Sequence, residues 1–145
     1  MPNHNMLIPN LMVENVQKTM RFYHDVLGFE LMAAVVDMQA GMDETNIILD
    51  VNDEHSLDWV NMKRGEIELM FQSRASLSTE VPELAEVAIG ASQTLYLRCE
   101  GLQSLYKKVK GSVDIIKEPH NKFYGMREFY VKDINGYILC FAEEI

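Results

Sequence analysis

The sequence has few of the features that mark membrane, secreted or disordered proteins. It contains only two cysteines, Cys99 and Cys140, which lie in apolar segments without CxxC spacing. We therefore expect two buried thiols in a reducing, cytoplasmic compartment, and neither a disulfide nor a zinc site. No apolar run is longer than the six residues of 31–36, which is too short to cross a bilayer. The first residues lack a basic segment followed by an apolar block, so we expect no secretory signal.

Basic residues are scarce as well. The chain has 13 lysines and arginines against 22 acidic residues, for a formal net charge of -9. Such a surface repels phosphate backbones and anionic lipids, so neither nucleic acid nor a membrane is an expected partner, whereas cationic small molecules are tolerated. No low-complexity tract interrupts the 145 residues, of which 48% are hydrophobic and 24% are charged. These values predict one globular domain with a substantial core.

The first half of the chain has the pattern of a βαβββ module. A short apolar stretch, residues 6–13, precedes Asn15, which is a candidate helix N-cap. Apolar residues recur at helical spacing after Asn15, and Gly28 ends the predicted helix. The next strand and the hairpin that follows it are predicted over residues 29–38, 57–63 and 66–71.

The second half of the chain repeats this order. After a predicted strand, Glu100 and Gly101 open a helix that ends at Gly111. Asn135 and Gly136 lie between two apolar runs, which is a strong indication of a hairpin. The strands of this second module are predicted over residues 94–99, 113–116, 127–132 and 137–141.

Two such modules predict an α+β fold, in which a curved eight-stranded mixed sheet carries helices outside and a concave ligand pocket inside. We expect a single domain over residues 1–145, with module one at about 5–72, a linker at about 73–92 and module two at about 93–145. Two interpretations remain open for the acidic segment 39–56, which is either an extended edge of the sheet or a lid.

Two motifs resemble the glyoxalase/bleomycin resistance/extradiol dioxygenase (vicinal oxygen chelate) superfamily. Residues 15–29, NVQKTMRFYHDVLGF, look like its first-helix signature, and residues 129–139, FYVKDINGYIL, resemble its closing hairpin. The resemblance covers both modules and implies the same βαβββ fold. It implies less about function, because the superfamily includes lyases, epimerases, dioxygenases, thiol transferases and metal-free antibiotic-binding proteins.

The resemblance also implies four positions at which related enzymes hold a divalent metal. In this sequence those positions carry Ile8, Glu68, Thr94 and Cys140, and only Glu68 is a usual ligand of a hard cation. The four histidines fall elsewhere, in the N-terminal tail, the first helix and loops. We therefore expect no metal, no other cofactor and no catalytic residues, so a non-enzymatic role is favoured.

Strand alternation, with its phase set by those four positions, assigns side chains to the pocket. The expected lining is aromatic and acidic, which suits a planar or cationic guest. We expect Glu68 to hold water, to pair with Arg98 or to await a basic ligand, and the aromatic residues could instead simply fill the hollow. The expected ligand-binding residues are Asn10, Met12, Trp59, Asn61, Glu68, Met70, Tyr96, Arg98, Glu128 and Tyr130.

Three functions remain open at this point. The favoured one is a metal-free binding protein similar to the bleomycin-resistance branch, a homodimer that sequesters a basic or aromatic drug in a crevice. The alternative is a glyoxalase-like, metal-dependent lyase or isomerase that uses Glu68 as a metal ligand or base. The third is a relative whose pocket binds an unknown metabolite or nothing. Pairing of the two chains through sheet edges and exchange of modules are both compatible with the sequence.

Overall fold

A computed structural model describes residues 2–52 and 54–145. Within those ranges the chain forms nine strands, three α-helices and one short 3₁₀ helix, which is an α+β arrangement. The order of elements confirms two successive βαβββ modules. The chain divides into two compact units, of which the first ends at Val87 and the second begins at Ala88.

The described part of the first unit contains a five-stranded mixed sheet. In space its strands follow the order β1-β5-β4-β2-β3, with β1 parallel to β5 and the other neighbours antiparallel. The strands are β1 (Asn10–Val13), β2 (Glu30–Val35), β3 (Ile47–Ile48), β4 (Trp59–Arg64) and β5 (Ile67–Ser73). The helices are α1 (Val16–Asp25), α2 (Arg74–Glu80) and the 3₁₀ helix Pro82–Leu84.

Helix α1 begins and ends where the sequence predicts. The Asn15 side chain accepts a hydrogen bond of 2.9 Å from the Lys18 backbone N–H and so caps the N-terminus. Gly28 follows the helix with φ +75°, a left-handed conformation that glycine adopts without a Cβ clash. The Tyr23 ring of α1 lies 4.6 Å, centroid to centroid, from Phe71 of β5, so this helix covers one face of the sheet.

One open question about the first unit is decided by the structure, and one detail differs from the sequence prediction. Within segment 39–56, residues 47–48 form an edge strand beside β2, which is the extended-edge alternative and raises the count to nine strands among the described residues. Buried Asn46 holds this segment, because its side-chain amide donates to the backbone carbonyls of Asp37 and Gly41. The expected linker 73–92 contains helix α2, which Ser73 caps by accepting from the Ser76 N–H. Both elements are too short for hydrophobic periodicity to identify.

The described part of the second unit contains a four-stranded mixed sheet in the order β6-β9-β8-β7. Helix α3 (Leu102–Val109) covers one face, and its Tyr106 ring lies edge-on to Phe129, 5.4 Å between centroids. The Asn135-Gly136 turn joins the last two strands, with Gly136 at φ +92°. The strands are β6 (Thr94–Arg98), β7 (Asp114–Asn121), β8 (Met126–Lys132) and β9 (Ile138–Glu144).

Each sheet turns an apolar face toward its helix. Phe71 faces α1 and Phe129 faces α3, as the ring contacts of Tyr23 and Tyr106 show. The alternation along β4, β5, β8 and β9 therefore follows the predicted phase, and the intervening residues lie on the opposite face, which we call the far face of each sheet. The buried residues on the helix-facing sides include Val60, Met62, Leu69, Phe71, Leu97, Phe129, Val131, Leu139 and Phe141.

Candidate functional site

The far face of the first sheet carries six of the predicted ligand-binding residues. Asn10 of β1 and Asn61 of β4 both lie opposite Met70 on the central strand β5. Two residues further along β5, Gln72 lies between Met12 of β1 and Trp59 of β4. The sheet register therefore brings five of the six into two adjacent cross-strand rows. The sixth, half-buried Glu68, lies opposite Lys63 nearer the hairpin turn.

Gln72 is a polar residue of this far face that the sequence-based site did not include. It is 3% exposed, accepts a 2.9 Å hydrogen bond from the Asn10 amide and donates one of 2.8 Å to the Ser76 hydroxyl. Continuing the alternation by one step beyond Met70 would have identified it. The Asn61 Oδ1 atom is buried and has no hydrogen-bond partner within residues 2–52 and 54–145.

The far face of the second sheet is built around a buried carboxylate. Glu128 of β8 is 0% exposed. The Tyr96 hydroxyl donates to its Oε2 atom at 2.6 Å, and the Tyr124 hydroxyl donates to the same atom at 2.5 Å. The other oxygen, Oε1, is buried and finds no hydrogen-bond partner in the described part of the chain. Of the two carboxylates predicted to lie in the pocket, Glu128 is therefore the buried one, whereas Glu68 is only half-buried.

Burial and hydrogen bonding act in opposite directions on Glu128. Burial is the largest single effect and raises its pKa, but the hydrogen bonds from Tyr124 and Tyr96, together with Lys122 and His120, outweigh it. The net pKa lies below the ordinary value, so Glu128 is a carboxylate at neutral pH. The hydrogen bond to this carboxylate in turn raises the pKa of Tyr96 to about 12 and also raises that of Tyr124. The site thus holds a buried negative charge stabilised by two neutral hydroxyl groups.

Tyr130 and Cys140 lie beside this carboxylate. Cys140 of β9 is opposite both Tyr96 and Tyr130 in the register. A hydrogen bond with Cys140 is the main cause of the raised pKa of Tyr130. Burial raises the pKa of Cys140 to about 11, and its interaction with Glu128 adds to that shift. Cys140 is consequently a neutral, weakly donating thiol at physiological pH.

His120 of β7 adds a second unpartnered atom to this face. It lies directly opposite Glu128 in the register, and its ring stacks on Tyr130 with 6.3 Å between centroids and 15° between planes. Its Nδ1 atom is 2.8 Å from the Glu118 backbone oxygen. Because a carbonyl only accepts, this contact assigns the hydrogen to Nδ1 and leaves Nε2 of the neutral ring as an acceptor. Nε2 is buried and has no partner among the described residues.

Tyr124, His120 and Lys122 were not among the residues predicted from the sequence. Strand β7 runs to Asn121, beyond the predicted end at residue 116, and Pro119 inside it obscures the strand pattern. Proline is tolerated there because β7 is the edge strand of its sheet. Once β7 is extended, its register with β8 places His120 beside Glu128.

Arg98, the remaining predicted residue, is the last residue of β6 and forms an ion pair. Its guanidinium lies 3.8 Å from the Glu144 carboxylate, and the two side chains are 66% and 80% exposed. Such an exposed ion pair contributes little to stability and leaves both groups hydrated. The structure therefore brings Tyr96, Glu128 and Tyr130 together, while Arg98 belongs to a solvent-facing pair.

The residues at the four metal positions implied by the family do not fit a hard divalent cation. Ile8 offers no donor atom, Thr94 is exposed, and the Cys140 thiol is buried, neutral and hydrogen-bonded to Tyr130. Only Glu68 would supply a charged oxygen ligand. Within residues 2–52 and 54–145, no group of three or more His, Cys, Asp or Glu side chains is arranged to hold a metal.

The family of this chain follows from its sequence. Residues 3–141 match the model of the Glyoxalase/Bleomycin resistance protein/Dioxygenase superfamily, so the chain belongs to that superfamily. Among curated proteins, no sequence matches this chain. None of the described helices is long and apolar enough to span a bilayer.

Several solved structures share the fold at low sequence identity. A protein of unknown function from Agrobacterium tumefaciens str. C58 is 16% identical with a TM-score of 0.70, covering 100% of this chain and 98% of that chain. TnmS3, an antibiotic binding protein from Streptomyces sp. CB03234, is 18% identical with a TM-score of 0.68, covering 100% and 99%. The bleomycin-binding protein of Streptomyces verticillus, complexed with copper(II)-bleomycin, is 19% identical with a TM-score of 0.58, covering 97% of each chain. At these identities the likeness shows the fold alone.

Proposed function

We propose that this chain is a metal-free small-molecule-binding protein that sequesters a basic or aromatic compound without altering it. The observation that carries the proposal is the ionised carboxylate of Glu128, which is 0% exposed and keeps one oxygen unpartnered. A buried charge is costly unless it is paired, and a cationic ligand would supply the missing partner. Tyr96 and Tyr130 add aromatic faces that attract cations and planar rings.

The solved relatives support a binding role. The structures of TnmS3 and of the Streptomyces verticillus protein are described as antibiotic-binding and bleomycin-binding. By analogy we propose that this chain confers resistance by holding a drug. Trp59, Asn61 and Met70 make the far face of the first sheet a further proposed contact surface, with Asn61 Oδ1 as its unpartnered acceptor.

The proposal includes a homodimer in the cytoplasm. Relatives of the bleomycin-resistance type are expected to place their ligand crevices at a subunit interface. Light scattering at micromolar concentration should give twice the 16.7 kDa chain mass, and a value of 16.7 kDa would contradict the dimer.

Calorimetric titration with a panel of aromatic cations and neutral aromatic compounds tests the binding function. We expect saturable binding of at least one compound, a raised melting temperature, and recovery of that compound unchanged by mass spectrometry. Glu128→Gln should weaken binding of the cation by about tenfold or more, which corresponds to about 1.4 kcal/mol. Glu118→Gln is the matched control, because it removes the same charge from an exposed position on neighbouring β7.

Two outcomes would contradict the proposal. Absence of heat and of any thermal shift at millimolar concentration would exclude this binding function. One tightly held divalent metal per purified chain, together with turnover of a glyoxalase-type substrate, would favour the metal-dependent lyase or isomerase instead.

A further inference from the structure

We infer that Oε1 of Glu128 and Nε2 of His120 form a subsite of two hydrogen-bond acceptors. This subsite would take a ligand group that carries two N–H donors on one carbon, such as an amidinium, a guanidinium or a protonated amino-substituted nitrogen heterocycle. The inference rests on the proposed function and names the chemical class of its ligand.

The first argument is the state of the two atoms. Both are buried, and neither has a hydrogen-bond partner in the described part of the chain. Folded proteins pair nearly all buried polar atoms, so two unpartnered acceptors on one sheet face point to a partner that comes from outside the chain. Among the described residues, one further buried side-chain atom has no partner, Asn61 Oδ1, and it lies on the first sheet.

The second argument is their position. His120 and Glu128 are directly opposite each other on β7 and β8, and such partners project from the same face of a sheet with Cβ atoms about 5 Å apart. A single planar group that carries two parallel N–H bonds can therefore approach both side chains together.

The third argument is that, among the described residues, no nearby donor makes a hydrogen bond to either atom. The hydroxyls of Tyr96 and Tyr124 both donate to the other oxygen of Glu128, Oε2. The Lys122 ammonium lies over the Tyr124 ring, 5.9 Å from its centroid. The Cys140 thiol interacts with Glu128 but is only a weak donor.

The fourth argument is that two half-exposed tyrosines cover the subsite. Tyr96 and Tyr124 are 49% and 48% exposed, although their hydroxyls reach the buried carboxylate. Tyr124 lies in the turn between β7 and β8, next to Phe123, which is 98% exposed. Displacement of the Tyr124 side chain would open Glu128 to the ligand and leave an aromatic face for its ring to pack against.

Three probes with the same ring and charge test this subsite by calorimetry. Benzamidinium carries two N–H groups on one carbon, benzylammonium carries a single ammonium group, and benzyltrimethylammonium carries no N–H donor. We expect benzamidinium to bind at least tenfold more tightly than benzyltrimethylammonium, with benzylammonium between them. Glu128→Gln and His120→Phe should each remove most of that preference, whereas Glu118→Gln should retain it. The His120→Phe variant keeps a ring beside Tyr130 and removes both the Nε2 acceptor and the Nδ1 hydrogen bond to the Glu118 backbone oxygen.

A measurement on the unmodified chain does not depend on whether the variants fold. The ¹⁵N resonance of His120 Nε2 should move when benzamidinium is added and should stay in place with benzyltrimethylammonium. An unmoved resonance at saturating benzamidinium would overturn the role of His120.

The outcomes separate this inference from the proposed function. Equal affinity for benzamidinium and benzyltrimethylammonium would overturn the two-acceptor subsite and leave aromatic-cation binding intact. Binding of neutral aromatic compounds alone would overturn the subsite as well, and would retain a binding function without a cation. Failure of every compound to bind would remove both.

Discussion

The Tyr124 hydroxyl donates a 2.5 Å hydrogen bond to Oε2 of Glu128, and so ties the turn between β7 and β8 to the buried carboxylate on β8. Tyr96, on the opposite edge strand of the same sheet, donates to the same oxygen. One carboxylate atom therefore connects both edges of the sheet. This connection makes the ionisation of the tyrosines depend on Glu128.

The first prediction concerns alkaline pH. The folded-state pKa of Tyr96 is raised from 10.0 to about 12, and that of Tyr124 is also raised. Both hydroxyls should therefore ionise at a higher pH in the folded chain than in the unfolded chain. A raised folded-state pKa stabilises the fold fully below about pH 10, and that contribution is lost as the pH rises toward 12. Among the six tyrosines, ultraviolet absorbance of tyrosinate should show Tyr96 and Tyr124 in a late-titrating phase, to which Tyr130 also contributes because its pKa is raised.

Glu128→Gln is the informative variant for this titration. Without the carboxylate, the pKa of Tyr96 and of Tyr124 should fall toward 10.0, and their part of the late phase should disappear. Glu118→Gln should leave the late phase in place. A wild-type chain in which all tyrosines titrate together near their ordinary value would contradict the hydrogen-bonded arrangement.

The second prediction compares two phenylalanines. Phe129 is 0% exposed and stacks on Phe141 with 5.2 Å between ring centroids, whereas Phe123 is 98% exposed. Phe129→Ala should lower the free energy of unfolding by about 3–5 kcal/mol, because it leaves a cavity beneath α3. Phe123→Ala should change it by less than about 0.5 kcal/mol. Urea denaturation of both variants gives the comparison, and similar losses would contradict the assigned burial.

The third prediction concerns the start of α3. Gly101 precedes this helix with φ +72° and has no side chain to cap it, so Glu143 of β9 takes that role. Its carboxylate accepts from the backbone N–H groups of Gly101 at 2.6 Å and Leu102 at 3.3 Å. Glu143→Ala should cost about 1 kcal/mol of stability, the usual value of an N-terminal cap.

Glu144→Ala is the control for that variant. Glu144 is the next residue and makes only the exposed 3.8 Å pair with Arg98, so its removal should cost less than about 0.5 kcal/mol. Thermal unfolding followed by circular dichroism compares the two. Equal melting temperatures for the two variants would argue against a capping role for Glu143.

The fourth prediction concerns the two thiols. Cys140 is 1% exposed and its pKa is raised to about 11, whereas Cys99 is half-buried. A thiol reagent at neutral pH should therefore modify Cys99 first and Cys140 only slowly, because the thiolate is the reactive form. Reaction rates of Cys99→Ser and Cys140→Ser assign the two phases, and both thiols should react quickly in denaturant. Rapid reaction of Cys140 in the folded chain would contradict its burial.

Much of the fold was predictable because it depends on local sequence patterns. The Asn15 cap, the Asn135-Gly136 turn and the strand alternation each depend on residues close together in the sequence. The same pattern left segment 39–56 open between an edge strand and a lid, and it did not predict helix α2, because β3 and α2 are too short to show a period. The second half of β7 was missed for a different reason. Pro119 interrupts the strand pattern of the sequence, although an edge strand such as β7 tolerates proline.

The candidate site was predictable only in part. Alternation placed Tyr96, Glu128 and Tyr130 on one face, and the register agrees, since Cys140 lies opposite both tyrosines. It gave no means to choose Glu128 over Glu68 as the buried carboxylate, because alternation specifies a face and not a depth. Tyr124 lies in a turn, where alternation does not apply.

The sequence by itself determined the two βαβββ modules, the apolar faces that pack against α1 and α3, and the superfamily to which the chain belongs, because hydrophobic periodicity and turn residues act over short distances. Only the tertiary structure decided that the Tyr96 and Tyr124 hydroxyls converge on one oxygen of Glu128, and that His120 lies beside it. Strand order, register and the conformation of the β7–β8 turn bring these residues together, and they depend on pairing between segments far apart in the chain. The same pairing removes Glu128 from water, which makes its charge and its unpartnered oxygen the chemical centre of the site.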